Sequence, residues 1–199
     1  VVGCGYWGPN YIRVFNELSS SQVTAACDID PKRLERIKRI YPLIRTCKNW
    51  REVIKDDKID AVCIATPASS HYQMAKESLL REKHALVEKP LALRVSEVED
   101  LARVAEEKKK VLMVGHVYLY HPVARKMKEY MDGGLLGQVH YIHSTRTGLG
   151  PIRNDVNAMW DLAPHDISMC IHLLGRMPTK VGARGASYMQ EGIEDVVFL

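Results

Sequence analysis

Apolar positions along the first 116 residues fall into short runs separated by amphipathic stretches. Val1-Val2 leads into a glycine-rich turn, and further runs occupy residues 22–27, 43–47, 59–65, 84–87 and 111–116. The run over 59–65 is almost uninterrupted, the pattern of a strand buried on both faces of a parallel sheet. Between the runs, helical spacing predicts helices over 10–18, 31–41, 50–55, 70–81 and 96–108. In the second of these, Leu34, Ile37 and Ile40 share a face and Pro42 stops the helix. Asn49 is placed to cap the next helix, and Ser96 with Glu99 forms a capping box for the last. Strands alternating with helices predict right-handed crossovers and an α/β, doubly wound parallel sheet.

The pattern changes after His116. A helix is predicted over 122–131, ended by Gly133-Gly134, then an alternating strand over 138–147 and a loop over 148–156 with Gly148, Gly150 and Pro151. A helix over 161–174 ends at Gly175, and strands follow over 179–188 and 194–199. The expected organisation is a dinucleotide-binding domain over 1–116 and a partial α+β domain over 117–199. The chain opens inside one strand and stops inside another, so both ends read as cut, and a preceding targeting segment is left open.

Candidate chemistry sits where strands end. Gly3, Gly5 and Gly8 fit G-x-G-x-x-G, with Tyr6, Trp7 and Pro9 completing the turn. The first glycine allows the tight turn, the second lets backbone approach a pyrophosphate, and the third lets the helix pack close. The helix that follows points N–H groups and its positive end at that pyrophosphate. Asp28 closes the next strand, where the ribose hydroxyls of NAD need an acid. Lys32 and Arg33 stand nearby, so NADP stays open as a second cofactor.

In doubly wound sheets, ligands lie outside the carboxyl ends of the strands. Thr66-Pro67-Ala68-Ser69-Ser70-His71 and Glu88-Lys89-Pro90 lie at such ends. The Lys89 ammonium can stabilise developing charge on a substrate oxygen; the plain alternative is a surface lysine paired to Glu88. Asp161 and His165, four residues apart, share a helix face, and Pro164 marks a helix N-terminus there. Histidine suits general-base work near neutral pH. The alternative makes Asp161 the helix cap and His165 a half-buried bystander.

Composition narrows the classes. The net charge is +4 and the charges are scattered, which argues against a nucleic-acid partner. Five cysteines without a C-x-x-C, several of them in predicted buried strands, indicate reduced, cytoplasmic usage. No apolar run approaches the ~18 residues of a membrane span. His116 with His121, and His140 with His143, complete no metal-ligand set.

Taken together, Gly3-Cys4-Gly5-Tyr6-Trp7-Gly8, Thr66-Pro67 with His71, Glu88-Lys89-Pro90, Val114-Gly115-His116 and Asp161-x-x-x-His165-Asp166 resemble the glucose–fructose oxidoreductase, inositol dehydrogenase and MocA family (Gfo/Idh/MocA). The resemblance implies a Rossmann domain holding NAD or NADP. It also implies an α+β domain with an open antiparallel sheet that carries substrate and often builds a homo-oligomer. It implies Lys89 as active-site lysine, Asp161 and His165 as acid–base pair, and Thr66, Pro67, His71 and Glu88 as cofactor-side residues. The wording Gly-Tyr-Trp-Gly-Pro-Asn and Trp-Asp-Leu-Ala-Pro-His-Asp-Ile is similar to the branch that oxidises UDP-N-acetylglucosamine and its uronate at C3. Many members carry an arginine where this chain has Leu119. The implied activity is hydride transfer between a sugar or nucleotide-sugar carbon and nicotinamide, with the substrate oxygen expected between Lys89 and His165. The rival expectation is a non-catalytic dinucleotide sensor or oligomer scaffold.

Overall fold

In the computed structural model, which describes residues 1–148 and 156–199, the chain divides into two units, Val1–Gly115 and His116–Leu199. The first is built on strands β1 (Ala25–Cys27), β2 (Arg45–Cys47), β3 (Ala61–Ile64), β4 (His84–Val87) and β5 (Leu112–Val114). The opening segment at Val2 bridges Cys27 on one side and Ile64 on the other, both in parallel. It joins the β1–β2 pair to the β3–β4–β5 sheet, so the order is β2, β1, Val2, β3, β4, β5, parallel throughout. The chain direction across the sheet reverses between Val2 and β3, which makes that gap the topological switch point.

The apolar runs are nearly continuous because both sheet faces are covered. Ala26 and Cys63 pack with Ile12 of α1 (Gly8–Glu17) and with Leu34 and Ile37 of α2 (Pro31–Ile40). Their strand neighbours Ala25, Cys27, Val62 and Ile64 face the other way. There they meet Val53 and Ile54 of α3 (Trp50–Ile54), Leu79 of α4 (His71–Leu80), and Leu101 and Val104 of α5 (Val95–Glu107). Successive side chains along a strand point to opposite faces, and this alternation sorts one apolar run into two cores. The capping box expected at Ser96 and Glu99 does not form. Helix α5 starts one residue earlier, with Arg94 at the cap position and no side-chain cap; Glu97 instead reaches back to accept from the Leu93 N–H at 3.3 Å.

The second unit opens with a 3₁₀ turn, Val117–Tyr120, then α6 (Pro122–Asp132) and α7 (Ala158–Leu174). Strands β6 (Arg184–Ala186) and β7 (Val196–Phe198) pair antiparallel, Arg184 opposite Phe198. Among the described residues, 138–147 form no strand. Alternation there marks two unlike faces, but a strand also needs a backbone partner, and among the described residues none pairs with this segment. The loop expected over 148–156 lies, apart from its two ends, outside the described residues. Helix α7 also begins earlier than expected. Asn157 caps it by accepting from Trp160 N–H at 3.1 Å. Pro164 therefore lies inside the helix rather than in its first turn; having no N–H, it cannot bond the carbonyl of Trp160. No helix among the described residues is long and apolar enough to cross a membrane.

Candidate functional site

In the first unit, one group of candidate residues lies at the switch point. Gly3 has φ +89°, and a Cβ there would stand 2.5 Å from the Ala65 carbonyl oxygen. A Cβ on Gly8 would stand 1.9 Å from the Gly3 carbonyl oxygen. Both positions therefore exclude any side chain, one for the turn and one for helix packing. Gly5 differs: a Cβ there meets only the Arg33 guanidinium, at 3.6 Å, so the backbone around Gly5 stays open to an approaching ligand. Trp7 at the start of α1 makes no side-chain cap, Pro9 has no N–H, and the Asn10 N–H donates to the Trp7 carbonyl at 2.9 Å, so the Gly8 amide is the first-turn donor left for another acceptor. Tyr6 is largely exposed and Trp7 partly so.

Asp28 is buried at the end of β1 and organises this turn. Its Oδ2 accepts from the Cys4 N–H at 2.7 Å and its Oδ1 from the Asp30 N–H at 2.9 Å. Arg33 Nη1 stands 3.4 Å from Oδ2. The strand-end acid thus holds the glycine turn in shape. Burial and the neighbouring Asp28 push the Cys4 thiol up to about 11, so the cysteine within the turn stays protonated.

Two further turns reach the same edge of the sheet. Thr66 Oγ1 lies 2.7 Å from Ser70 Oγ, and Ser70 Oγ donates to the Pro67 carbonyl at 2.8 Å. His71 is 1% exposed. Its Nδ1 faces the Pro90 carbonyl and its Nε2 the Thr66 carbonyl, each at 2.8 Å. It staples the Thr66–Pro67 turn to the Glu88–Lys89–Pro90 turn; both bonds form at once only when both ring nitrogens carry a proton. Glu88 is buried, Lys89 half-buried. Tyr11 Oη donates to Glu88 Oε1 and the Lys89 N–H to Glu88 Oε2.

The second unit carries Asp161 and His165 on α7, both half-buried and four residues apart on one helix face. The edge of the His165 ring meets Tyr118, centroids 4.6 Å apart at 62°. The Arg146 guanidinium lies over Tyr118, 4.9 Å from its centroid, and Arg146 Nε donates to Asp166. Ser144 Oγ donates to the other Asp166 oxygen at 2.6 Å. Burial alone pushes the Asp166 carboxyl up, but the bonds from Arg146 and Ser144 outweigh it and hold the group below its ordinary range. Asn157 also donates to Glu194 at 2.7 Å, tying the start of α7 to the residues before β7.

Sequence reasoning passed over Tyr11, Ser144, Tyr118, Arg146 and Asn157. Only Asn157 carried a local signal, since asparagine is a favoured cap. The others act through partners 20 to 77 residues away.

An open glycine turn at the switch point of a parallel doubly wound sheet, with an acid closing the neighbouring strand, defines a dinucleotide-binding protein. The chain belongs to the GFO/IDH/MocA oxidoreductase family: residues 1–116 match its NAD-binding Rossmann fold and residues 124–199 its C-terminal domain. It is 31% identical over 189 residues to a UDP-N-acetylglucosamine 3-dehydrogenase of Acidithiobacillus ferrooxidans, covering 94% of this chain and 57% of that protein. It is 26% identical over 201 residues to a myo-inositol 2-dehydrogenase of Thermotoga maritima, covering 97% and 59%. The fold matches scyllo-inositol dehydrogenase of Lactobacillus casei, solved with NAD(H) and scyllo-inositol, at TM-score 0.78 and 21% identity, over 96% of this chain and 59% of that one. The chain thus spans less than three fifths of the length of each of these relatives.

Proposed function

We propose that this chain is the cofactor-binding portion and part of the substrate domain of an NAD-dependent oxidoreductase acting on a hydroxyl of a sugar or nucleotide sugar. One observation carries the reading: the Glu88–Lys89–Pro90 turn is fixed by buried and part-buried polar bonds at the sheet edge that bears the open glycine turn. A lysine held there by its backbone suits a role at one position, not that of a mobile surface cation.

The chain's residues divide the labour. The Gly8 N–H at the start of α1 holds the pyrophosphate of NAD, and Gly5 gives it room. Asp28 accepts from the adenosine ribose hydroxyls and repels a 2′-phosphate, which favours NAD over NADP. Lys89 binds the substrate oxygen and stabilises its negative charge as the hydroxyl proton leaves. His165 takes that proton, with Asp161 orienting the imidazole. The turn over residues 3–8 and Asp28 would hold NAD, which would supply the hydride acceptor that turning the alcohol into a carbonyl requires. The relatives that oxidise UDP-N-acetylglucosamine and myo-inositol support a polyhydroxylated substrate.

The test is turnover by the purified full-length protein with NAD⁺ against UDP-sugars and free polyols, followed by reduced-nicotinamide absorbance. One or more should be oxidised, and Lys89→Met should lower kcat about 100- to 1,000-fold, the worth of one transition-state donor, with NAD⁺ binding retained. Turnover of none, or a Lys89→Met enzyme with most of its kcat, overturns the reading in favour of a cofactor-binding sensor.

A further inference from the structure

Tyr11 belongs to α1, yet its hydroxyl serves a different part of the site. It crosses to the end of β4 and donates to Glu88 Oε1. The other oxygen of that buried carboxylate, Oε2, accepts from the Lys89 backbone N–H at 3.2 Å. Gly115, just past β5, closes the third side. A Cβ there would stand 3.0 Å from Tyr11 Oη and 3.1 Å from Glu88 Oε1, and the Gly115 N–H donates to the Val87 carbonyl at 2.7 Å. The Tyr11 ring stacks against Phe15, centroids 6.3 Å apart, and packs on the core under α1 and α2. Burial and the bond to Glu88 raise the phenol far above its ordinary value, so the hydroxyl remains a donor at any working pH.

We propose that Tyr11 is a positioning residue for the reaction: its hydroxyl fixes the Glu88 carboxylate, and through it the backbone of Lys89, against the helix whose N-terminus faces the cofactor. The connection runs from α1 through Tyr11 Oη and both oxygens of Glu88 to the Lys89 amide. Cofactor seat and lysine turn are thereby held in one register. Replacing Tyr11 by phenylalanine keeps the packed ring and removes only the hydroxyl, leaving a buried carboxylate oxygen without that donor. The carboxylate then loses one of the two donors that fix it, and a misplacement of about 1 Å at a reacting group costs on the order of 100-fold.

The inference rests on the reading of Lys89 given above. The experiment compares wild type, Tyr11→Phe, Gly115→Ala and Lys89→Met with NAD⁺ and the substrate oxidised in the screen. It records kcat, KM for both substrates, the NAD⁺ dissociation constant by fluorescence titration, and Tm. The expected result is a fall in kcat of tenfold or more in Tyr11→Phe, with NAD⁺ affinity within about threefold of wild type. Gly115→Ala, whose methyl presses on the same two atoms, should show the same selective loss, and it carries the test if Tyr11→Phe does not fold. Unchanged kcat in either variant overturns the proposal. So does a loss of NAD⁺ affinity in proportion to kcat, which would mark Tyr11 as mere packing. If Lys89→Met keeps its turnover, it is the reading of Lys89 that fails; if Lys89→Met is inactive while Tyr11→Phe is normal, only the positioning role falls.

Discussion

The two units hold their site residues by different means. In Val1–Gly115, apolar burial dominates: Ile12, Ile64, Leu79, Leu101 and Val87 are fully enclosed between sheet and helices. In His116–Leu199, the 17-residue helix α7 buries Leu173, while Trp160, Leu162 and Ile167 stay exposed. There the His165 ring meets Tyr118, which the Arg146 guanidinium covers, and Arg146 and Ser144 both donate to the Asp166 carboxylate. The contrast shows two routes to order. A layered core positions backbone, which is what a glycine turn and a strand-end lysine require. A polar bracket positions individual side chains, and it responds to pH.

The core side of the contrast is broken most sharply at Leu101. Its side chain is fully buried between α5 and the sheet, and Leu101→Ala should cost about 2–5 kcal/mol through lost transfer energy and the cavity left behind. Urea unfolding followed by far-UV circular dichroism measures it. A cost under about 1 kcal/mol would mean that the layered core does not dominate the first unit.

Much of that first unit was legible in the sequence because its signals are local. The spacing of Gly3, Gly5 and Gly8, common by itself, became informative because a strand ending in Asp28 follows it, and apolar runs buried on both faces leave little ambiguity. Asp28 was found by its distance from the turn, although its second task, bonding the Cys4 N–H, could not be read from spacing. The second unit was less legible. The alternation over 138–147 suggested a strand, but residues 138–148 instead supply Ser144 and Arg146 to Asp166. Pro164 suggested a helix start at Asp161, and Asn157 in fact caps it four residues earlier. A helix packed or capped well enough tolerates one missing bond, and nothing local announces that tolerance.

The bracket around α7 gives the next largest effect. The Asp166 carboxyl is held below its ordinary range by Arg146 and Ser144 against the opposing effect of burial. A carboxyl whose folded pKa is depressed stabilises the fold fully above its unfolded pKa, about 3.9, and loses that contribution as pH falls through and below it. Acidification from about pH 5.5 to about pH 3 should therefore loosen α7 before the layered core. Asp166→Asn should cost about 1–2 kcal/mol at neutral pH and flatten that acid loss. Amide hydrogen exchange along α7, compared with β3 and β4 at both pH values, measures both. Equal loosening of the two regions in the wild type would show that the bracket adds no local pH sensitivity.

The smallest effect sharpens the comparison most finely, at the helix starts. In the first unit, α5 begins at Arg94 without a side-chain cap and relies on Leu101, Val104 and Ala105 being buried. In the second, α7 begins at Asn157, whose Oδ1 accepts from the Trp160 N–H at 3.1 Å and whose Nδ2 donates to Glu194 at 2.7 Å. The Ala158 N–H donates to the Glu194 carbonyl at 2.9 Å, so the same residue braces the first turn through its backbone. With Leu173 the one buried residue described in its 17, against three in α5, α7 depends on that start more than α5 does on its own. Asn157→Ala should cost about 1 kcal/mol and raise exchange at Trp160 and Asp161, the turn that carries the proposed partner of His165. Asn157→Ser keeps the capping oxygen but cannot donate as the amide does to Glu194, so it should recover about half of the loss. Arg94→Ala, the matched change on α5, should cost under about 0.5 kcal/mol. Equal costs at Asn157 and Arg94 would mean that both helices are held by burial alone, and the distinction between the units would then rest on Asp166 and Arg146.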